Sequence, residues 1–469
     1  MVFPDIVVDT KYYYRTRYRV NGTAGSFLAG TEHSFHTQRA PGNAFTFAIE
    51  ADPHLDTNSI PAAYTLTLQN ILAQKPDFLL DLGDSFMSEK LAVISQDAIT
   101  QRHLLYRPYF NEACHSVHLY LVIGNHEGEL GWRMDGIANS LQVMAVNTRK
   151  LYYPNPSPDS FYSGDTVNEN FTGLRESYYS WEWGNALFIV LDPYSYTVKK
   201  PDWGWTLGEV QYNWFKHLIS NSKARFKFVF CHQLVGGRGN DARGGTEYAG
   251  FFEMGGYNLD NSWGFDSYRP GWEKPIHQLF ADNGVNIFFH GHDHLFAREE
   301  LDGVIYQEAP MPCDSTYEIG MLANADAYVS NTLDGSGHLK VTVSPECVRV
   351  DYVRAYLPSD TLNGLHHNRE VAFSYSIGDC PSAGINDERI NEQLVSIYPN
   401  PANDFLTMSL SPDFGDYQIS LINPIGQTVL QTRSKYIDVS HYQNGLYLLN
   451  FKTATCEINK KIVISRQLH

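Results

Sequence analysis

Five short apolar runs in this chain each stop on side chains that can bind a metal, and few folds can bring five such endings together. FTFAIEADPH stops at Asp52 and His54, and DFLLDLGD stops at Asp84. HLYLVIGNHE ends in Asn125, His126 and Glu127, RFKFVFCHQ in His232, and NIFFHGHDH in His292 and His294. Runs that stay apolar without alternation read as strands buried on both faces. In an open α/β sheet, ligands gather in the crevice at the carboxyl ends of the strands. Seven side chains would then converge: Asp52, His54, Asp84, Asn125, His232, His292 and His294. One tetrahedral ion takes four ligands. Seven, with one carboxylate shared, suit two ions about 3.5–4 Å apart, the spacing that clamps a phosphoryl group.

The surroundings agree with an α/β body. From about Phe45 to Tyr356 short apolar runs alternate with helix-like segments such as SIPAAYTLTLQNILAQ, GEVQYNWFKHLISNS and KPIHQLFADNG. Before it, residues 1–42 carry strand-like alternation in YYYRTRYRV and EHSFHTQRAPG, too little chain for a whole sandwich. After it, residues 358–394 turn polar and read as a linker, and 395–469 read as a small all-β sandwich with turns at Pro-Asn-Pro, Pro-Ile-Gly and Gln-Asn-Gly.

Composition closes off other classes. The net charge of −17 disfavours a nucleic-acid groove, which needs clustered Lys and Arg. It leaves small phosphorylated substrates open, because bound cations reverse the local field. No apolar run of about 20 residues occurs to span a membrane. The six cysteines are thinly spread and their pairing is unreadable from spacing. The N-terminus lacks the pattern of a signal peptide, which taken alone suggests a cytoplasmic protein.

Taken singly, each motif is weak, since a histidine after a strand is more often a hydrogen-bonded structural residue than a ligand. In order, however, Asp-x-His, Gly-Asp, Gly-Asn-His-Glu, a lone His and Gly-His-x-His resemble the motif set of the calcineurin-like metallophosphoesterases over roughly residues 45–300. The resemblance implies a four-layer α/β sandwich, two mixed sheets flanked by helices, as a catalytic domain at 43–357. It further implies a dinuclear centre of iron, manganese or zinc, with the identity open. Asp52, His54 and His294 would hold one ion, Asn125, His232 and His292 the other, and Asp84 would bridge. The reaction it implies is in-line attack of metal-bound hydroxide on a phosphate ester, with His126 as acid or transition-state stabiliser. Glu127 is the candidate to orient that imidazole. His290 reads as an orienting or packing residue, Asp192 as a turn or orienting group, and Glu50 and Asp56 as flanking residues.

The Gly-rich stretch between His232 and His292 reads as a wall or lid of the substrate pocket, with Arg238, Arg243 and Arg269 as candidate phosphate contacts. Its tryptophans, and those of PDWGWTLGE, read first as core and second as a stacking surface. The leading strands resemble the end of the fibronectin-III-like module of purple acid phosphatases. Those enzymes carry a tyrosine three residues after the bridging Asp; here Met87 stands there, and a thioether is a poor ligand for hard metals. His54 is therefore expected to take the tyrosine's place and the centre to be colourless. The block at 395–469, with YPNPANDFL, GLYLLNF and KKIVIS, resembles the type IX secretion sorting domain of Gram-negative bacteria. That implies a partner in the secretion machinery and a secreted or cell-surface protein, and Met1 is then expected not to be the natural start. The phosphomonoesterase reading leads, a phosphodiesterase or nucleotidase is its nearest rival, and a non-catalytic surface-binding protein is disfavoured because the ligand set is complete.

Overall fold

The computed structural model describes residues 6–22, 24–319, 324–329, 332–362, 364–380, 395–410, 417–424, 427–453 and 457–466. The chain divides into two compact units, 1–379 and 380–469.

In the first unit the apolar runs become strands of two mixed sheets. Phe45–Glu50, Phe78–Asp81 and His118–Leu121 run parallel at one end of a six-stranded sheet. Gly337–Val343, Cys347–Arg354 and Val371–Gly378 complete it by antiparallel pairing. Phe226–Phe230 and Ile287–His290 lie side by side and parallel in an eight-stranded sheet, between Ala186–Val190 and Val304–Glu308.

The inward faces pack into one core, in which Phe47, Phe78, Phe188, Phe228, Phe230 and Phe289 meet across the gap. The Phe47 and Phe188 rings, one from each sheet, cross edge-to-face at 5.2 Å. Outside the first sheet, Ala48 and Leu79 pack under helices Pro61–Gln74 and Gln96–Cys114. Outside the second, Ile189, Val229 and Phe288 pack under Glu209–Asn221 and Ile276–Asp282. Both faces of the catalytic strands are thus covered, which is why their sequences show no polar alternation.

Strands Lys11–Tyr18 and Leu28–His36 form a two-stranded antiparallel ribbon. It meets the body where Tyr14 donates a hydrogen bond to the His115 carbonyl (2.6 Å) and the His33 ring lies 4.3 Å from that of His115.

Part of the stretch expected as a linker belongs to the catalytic sheet. Val371–Gly378 pairs along Cys347–Arg354 as an edge strand, and its alternation of Val371, Phe373, Tyr375 and Ile377 was the signal for it. Residues 381–394 and Cys456 lie outside the described residues. Cys114, Cys231 and Cys313 are free thiols, whereas Cys347 and Cys380 are disulfide-bonded.

The second unit contains a three-stranded sheet (Val395–Tyr398, Phe405–Leu410, Tyr436–Asp438) and a four-stranded one (Thr428–Thr432, Tyr417–Ile422, Gly445–Thr453, Glu457–Ile464), all antiparallel. Leu406, Met408, Ile419, Leu421, Leu449, Phe451 and Ile462 form its own core.

Candidate metal centre

The five strand ends meet at one place. Asp52, His54 and His294 offer ligand atoms that all lie within 4.8 Å of one another, and so do Asp84, His232 and His292. Asn125 joins the second group, its Oδ1 3.0 Å from His232 Nε2. Asp84 stands between the groups: its Oδ2 is 3.7 Å from His54 Nε2 and 3.3 Å from His232 Nε2. All seven candidate ligands are therefore brought together.

Close backbone approach makes this convergence possible. Gly83 adopts φ +103°, and a Cβ there would lie 2.5 Å from the Gly124 nitrogen. A Cβ on Gly291 would lie 2.6 Å from the Ala51 Cβ. Five of the seven candidate ligands, Asp52, His54, Asp84, His292 and His294, themselves have left-handed φ of +49° to +82°. Such conformations are uncommon for non-glycine residues and persist only where the surroundings enforce them. Here each ligand turns sharply off its strand, so that its side chain points into the crevice rather than continuing the alternation.

The hydrogen-bond pattern fits cations. His232 Nδ1 lies 2.8 Å from the Leu82 carbonyl and donates to it, which turns Nε2 towards the other candidate ligands. There it faces Asn125 Oδ1, Asp84 Oδ2 and, at 3.2 Å, His292 Nδ1. Oxygen and nitrogen ligand atoms thus crowd around one another, as donors to a shared cation do. Asp52 Oδ1 is buried without a hydrogen-bond partner, as is His54 Nε2, although three imidazoles stand 3.6–3.8 Å from that oxygen. Buried polar atoms rarely go unsatisfied, and a positive charge placed among these would satisfy them.

Electrostatics point the same way. Burial alone would raise Asp52, but the His232, His54 and His294 imidazoles draw it down to about 2. Burial alone would depress His232, but Asp84 and Asp52 push it up to about 10. A pocket negative enough to hold a proton that firmly is one whose field a metal ion would neutralise, since protons and metals compete for the same lone pairs.

His126 lies at the edge of this cluster, its Nε2 3.8 Å from Asp84 Oδ2. The carboxylate at its other nitrogen is Glu89, 3.1 Å from Nδ1, with Arg133 3.5 Å beyond. The expectation for Glu127 is corrected. Its side chain turns into the protein, where Oε1 accepts from the Ser85 and Phe86 N–H groups (2.7 and 3.2 Å) and Oε2 from Asp84 and Gly124 (3.0 and 2.5 Å). Chain adjacency to His126 misled, because in this tight turn successive side chains point opposite ways.

Two of the three candidate arginines are likewise corrected. Arg238 is bound at the surface by Asp326 (3.0 Å), and Arg269 is held by buried Glu253 and by the Trp203 and Trp205 carbonyls. Neither lines the cleft over the candidate ligands, a space of about 560 Å3; Arg243 does, beside His54, His126 and His294. Lys90 and Arg102 line it too, although nothing in the sequence singled them out. Met87 also lines it, but no Phe, Tyr or Trp does among the described residues. The tryptophans pack elsewhere: Trp203 stacks on Tyr268 at 4.6 Å, Trp272 on Tyr212 at 4.0 Å, and Trp205 is buried.

Three residues around the ligands complete the picture. Asp56, read as a flanking residue, lies 3.5 Å from His54 Nδ1 and orients that ring. His290 Nδ1 lies 2.5 Å from Glu308 Oε2, away from the ligands, and Asp192 accepts the N–H groups of Tyr194 and Ser195 in a turn.

Residues 45–296 match the calcineurin-like phosphoesterase family model, and residues 396–465 match the secretion system C-terminal sorting domain. The chain belongs to the calcineurin-like phosphoesterase family. Its sorting domain marks it for secretion or the cell surface.

Among solved structures it resembles purple acid phosphatase PPD1 from yellow lupin seeds, with 16% identity and a TM-score of 0.51 over 80% of this chain and 60% of that one. It resembles PhoD to the same degree, 16% and 0.51, over 79% of this chain and 76% of that one. The chain thus spans less than two thirds of the lupin enzyme, and at this identity both likenesses speak for the fold alone. No curated protein matches it.

Proposed function

We propose that the protein is a secreted phosphomonoesterase with two metal ions. The observation that carries this reading is the position of Asp84 Oδ2 between two separate groups of imidazole and oxygen donors. When bound, the two cations would supply charge to neutralise the phosphoryl oxygens and acidity to a nucleophilic water. Asp52, His54 and His294 would hold one, Asn125, His232 and His292 the other, and Asp84 both.

The protein's own groups do the rest. Arg243 reaches the cleft from the Gly-rich loop and Lys90 and Arg102 from the opposite stretch of chain, and together they favour a dianionic monoester over a monoanionic diester. His126, steered through Nδ1 by Glu89, presents Nε2 towards the centre, where the departing alkoxide needs a proton. The absence of Phe, Tyr and Trp among the described lining residues speaks against recognition of a nucleoside base by stacking, and so against the nucleotidase reading. With Met87 beside His54 and no tyrosine among the described lining residues, the centre lacks a phenolate-to-metal absorption in this reading, whichever of iron, manganese or zinc it holds.

In domain terms, the ribbon at 1–42 precedes a catalytic body at 43–357 whose last strand comes from the linker region, and 395–469 is the domain read by the secretion machinery. The test is metal analysis coupled to hydrolysis of monoester, diester and nucleotide panels. Asp84→Ala should lose one metal equivalent together with the activity. Full turnover by that variant would refute the bridging role, and a preference for diesters would refute the substrate class.

A further inference from the structure

The cleft over the candidate ligands does not end at its basic rim. Leu91 and Arg102 line both that cleft and an adjoining groove of about 600 Å3, whose other walls are Ala98, Gln101, Leu104 and Leu105. Helix Gln96–Cys114 explains the groove. Its core face consists of Ile99, His103, Tyr106, Phe110 and Ala113. Ala98, Gln101, Arg102 and Leu105 recur at i, i+3, i+4 and i+7, the spacing that puts residues on one side of a helix. The helix therefore carries a second stripe that the core does not use, with Ala98 and Leu105 flanking Gln101 and Arg102. Leu105 is 42% exposed, and Val93 and Ile94, just before the Ser95 cap, are 71% and 44% exposed.

Single exposed apolar residues need no explanation. Leu105, however, lines a groove that shares Leu91 and Arg102 with the cleft over the candidate metal ligands. Arg102 Nε donates to the Phe86 carbonyl (2.9 Å) and its Nη2 to the His54 carbonyl (2.8 Å), so the two ligand-bearing loops hold the guanidinium in place. A phosphate ester seated in the cleft thus has, across the shared Leu91 and Arg102, a neighbouring space walled by a fixed cation and aliphatic side chains. Neither cleft nor groove has a Phe, Tyr or Trp among its described lining residues, so neither offers a large apolar ring face.

We propose that the groove receives the leaving-group side of the substrate, and that the substrate is the phosphate monoester of a long aliphatic alcohol. This rests on the phosphoesterase reading of the cleft. The test is a series of soluble alkyl phosphates from ethyl to octyl, kept below their critical micelle concentrations, with the metal-loaded full chain. Hydrolysis should show kcat/KM rising roughly two- to fourfold per methylene once the chain passes Arg102. Octylphosphonate, which cannot be hydrolysed, should bind more tightly than ethylphosphonate by calorimetry. Leu105→Asp, an exposed position that folding tolerates, should cut the octyl-to-ethyl ratio about tenfold. A flat series in the unaltered protein, or a rise that Leu105→Asp leaves intact, overturns the groove assignment. If no ester in the series is turned over at full metal loading, the phosphoesterase reading itself falls.

Discussion

Glu127→Gln is the perturbation that most directly tests how the site is held. The Glu127 carboxylate accepts four backbone N–H groups, three from residues 84–86 and one from Gly124, and so ties together the loops that carry Asp84 and Asn125. Burial, and then the neighbouring Asp84 charge, push its pKa up to about 7. Both oxygens nevertheless face two donors each, so the carboxylate is the form that fits. Glutamine keeps the shape but turns one oxygen into an NH2 group aimed at two N–H donors. Two charge-assisted bonds are lost, at about 1.5–3 kcal/mol each, or about 3–6 kcal/mol. That is comparable to the whole stability of an ordinary domain, about 5–15 kcal/mol. Local opening of the 83–86 loop is a cheaper response than unfolding two large cores. The damage should therefore appear in metal binding, as the about 10–100-fold loss seen when partners of ligand residues are removed. Chelator competition read by elemental analysis measures it, with Glu127→Asp as the charge-preserving control. If Glu127→Gln holds both metal equivalents at unaltered affinity, the tying role is wrong.

Other outcomes follow from the same contacts. Glu89→Gln should lower kcat about tenfold or more while KM changes little, because it loosens His126 without touching substrate; steady-state kinetics check this, and a pure KM effect would refute it. Arg149→Met strands Glu129, its fully buried partner at 2.6 and 3.0 Å, and should destabilise the first unit by about 3–5 kcal/mol in chaotrope melts, whereas the Arg149→Met/Glu129→Leu pair should recover much of that loss. His103 and His338 are buried, and burial depresses their pKa to about 4 and about 3. The unfolded chain, with histidine near 6.5, then binds more protons than the folded one, so their contribution is complete above about pH 6.5 and falls away as pH drops towards 4 and 3. Melting temperature should decline over that window, and His338→Gln should flatten the decline; an unchanged slope would exclude His338 as a cause.

What could be read in advance follows from how the information is stored. A strand buried on both faces writes itself as an unbroken apolar run, and a ligand at its tip writes itself as a metal-binding residue type within a few positions of that run's end. Asp52, Asp84, Asn125, His232 and His292 were legible for that reason. Roles that depend on side-chain direction were not. Glu127 follows His126 in the chain but faces the amides, while Glu89, 37 residues earlier, faces the imidazole. Likewise Arg238 and Arg269 occupy a suggestive loop but are tied elsewhere, whereas Lys90 and Arg102 reach the cleft from a segment that reads as ordinary helix and turn. Val371–Gly378 was read as linker because its flanks are polar and its alternation is that of a half-exposed edge.

The left-handed backbone at the ligands bears on why the centre sits between such large cores. Residues held in this region cost about 1–3 kcal/mol each, so Asp52, His54, Asp84, His292 and His294 together cost about 5–15 kcal/mol, as much as a typical domain's net stability. No local interaction near the crevice could hold five such turns by itself. They are enforced from behind. The strands leading into them are clamped on one side by the phenylalanine core shared by the two sheets and on the other by the helix layers. The N–H groups that the turns expose are taken up by carboxylates, with Glu127 serving Asp84, Asp84 serving His126, and Asp52 serving His292 (2.8 Å). The carboxylates that would bind cations therefore also stabilise the strained turns that present them. Alanine at Asp52 or Asp84 would remove a ligand and a turn support together, whereas asparagine would keep an oxygen for the turn and lose only the ligand charge.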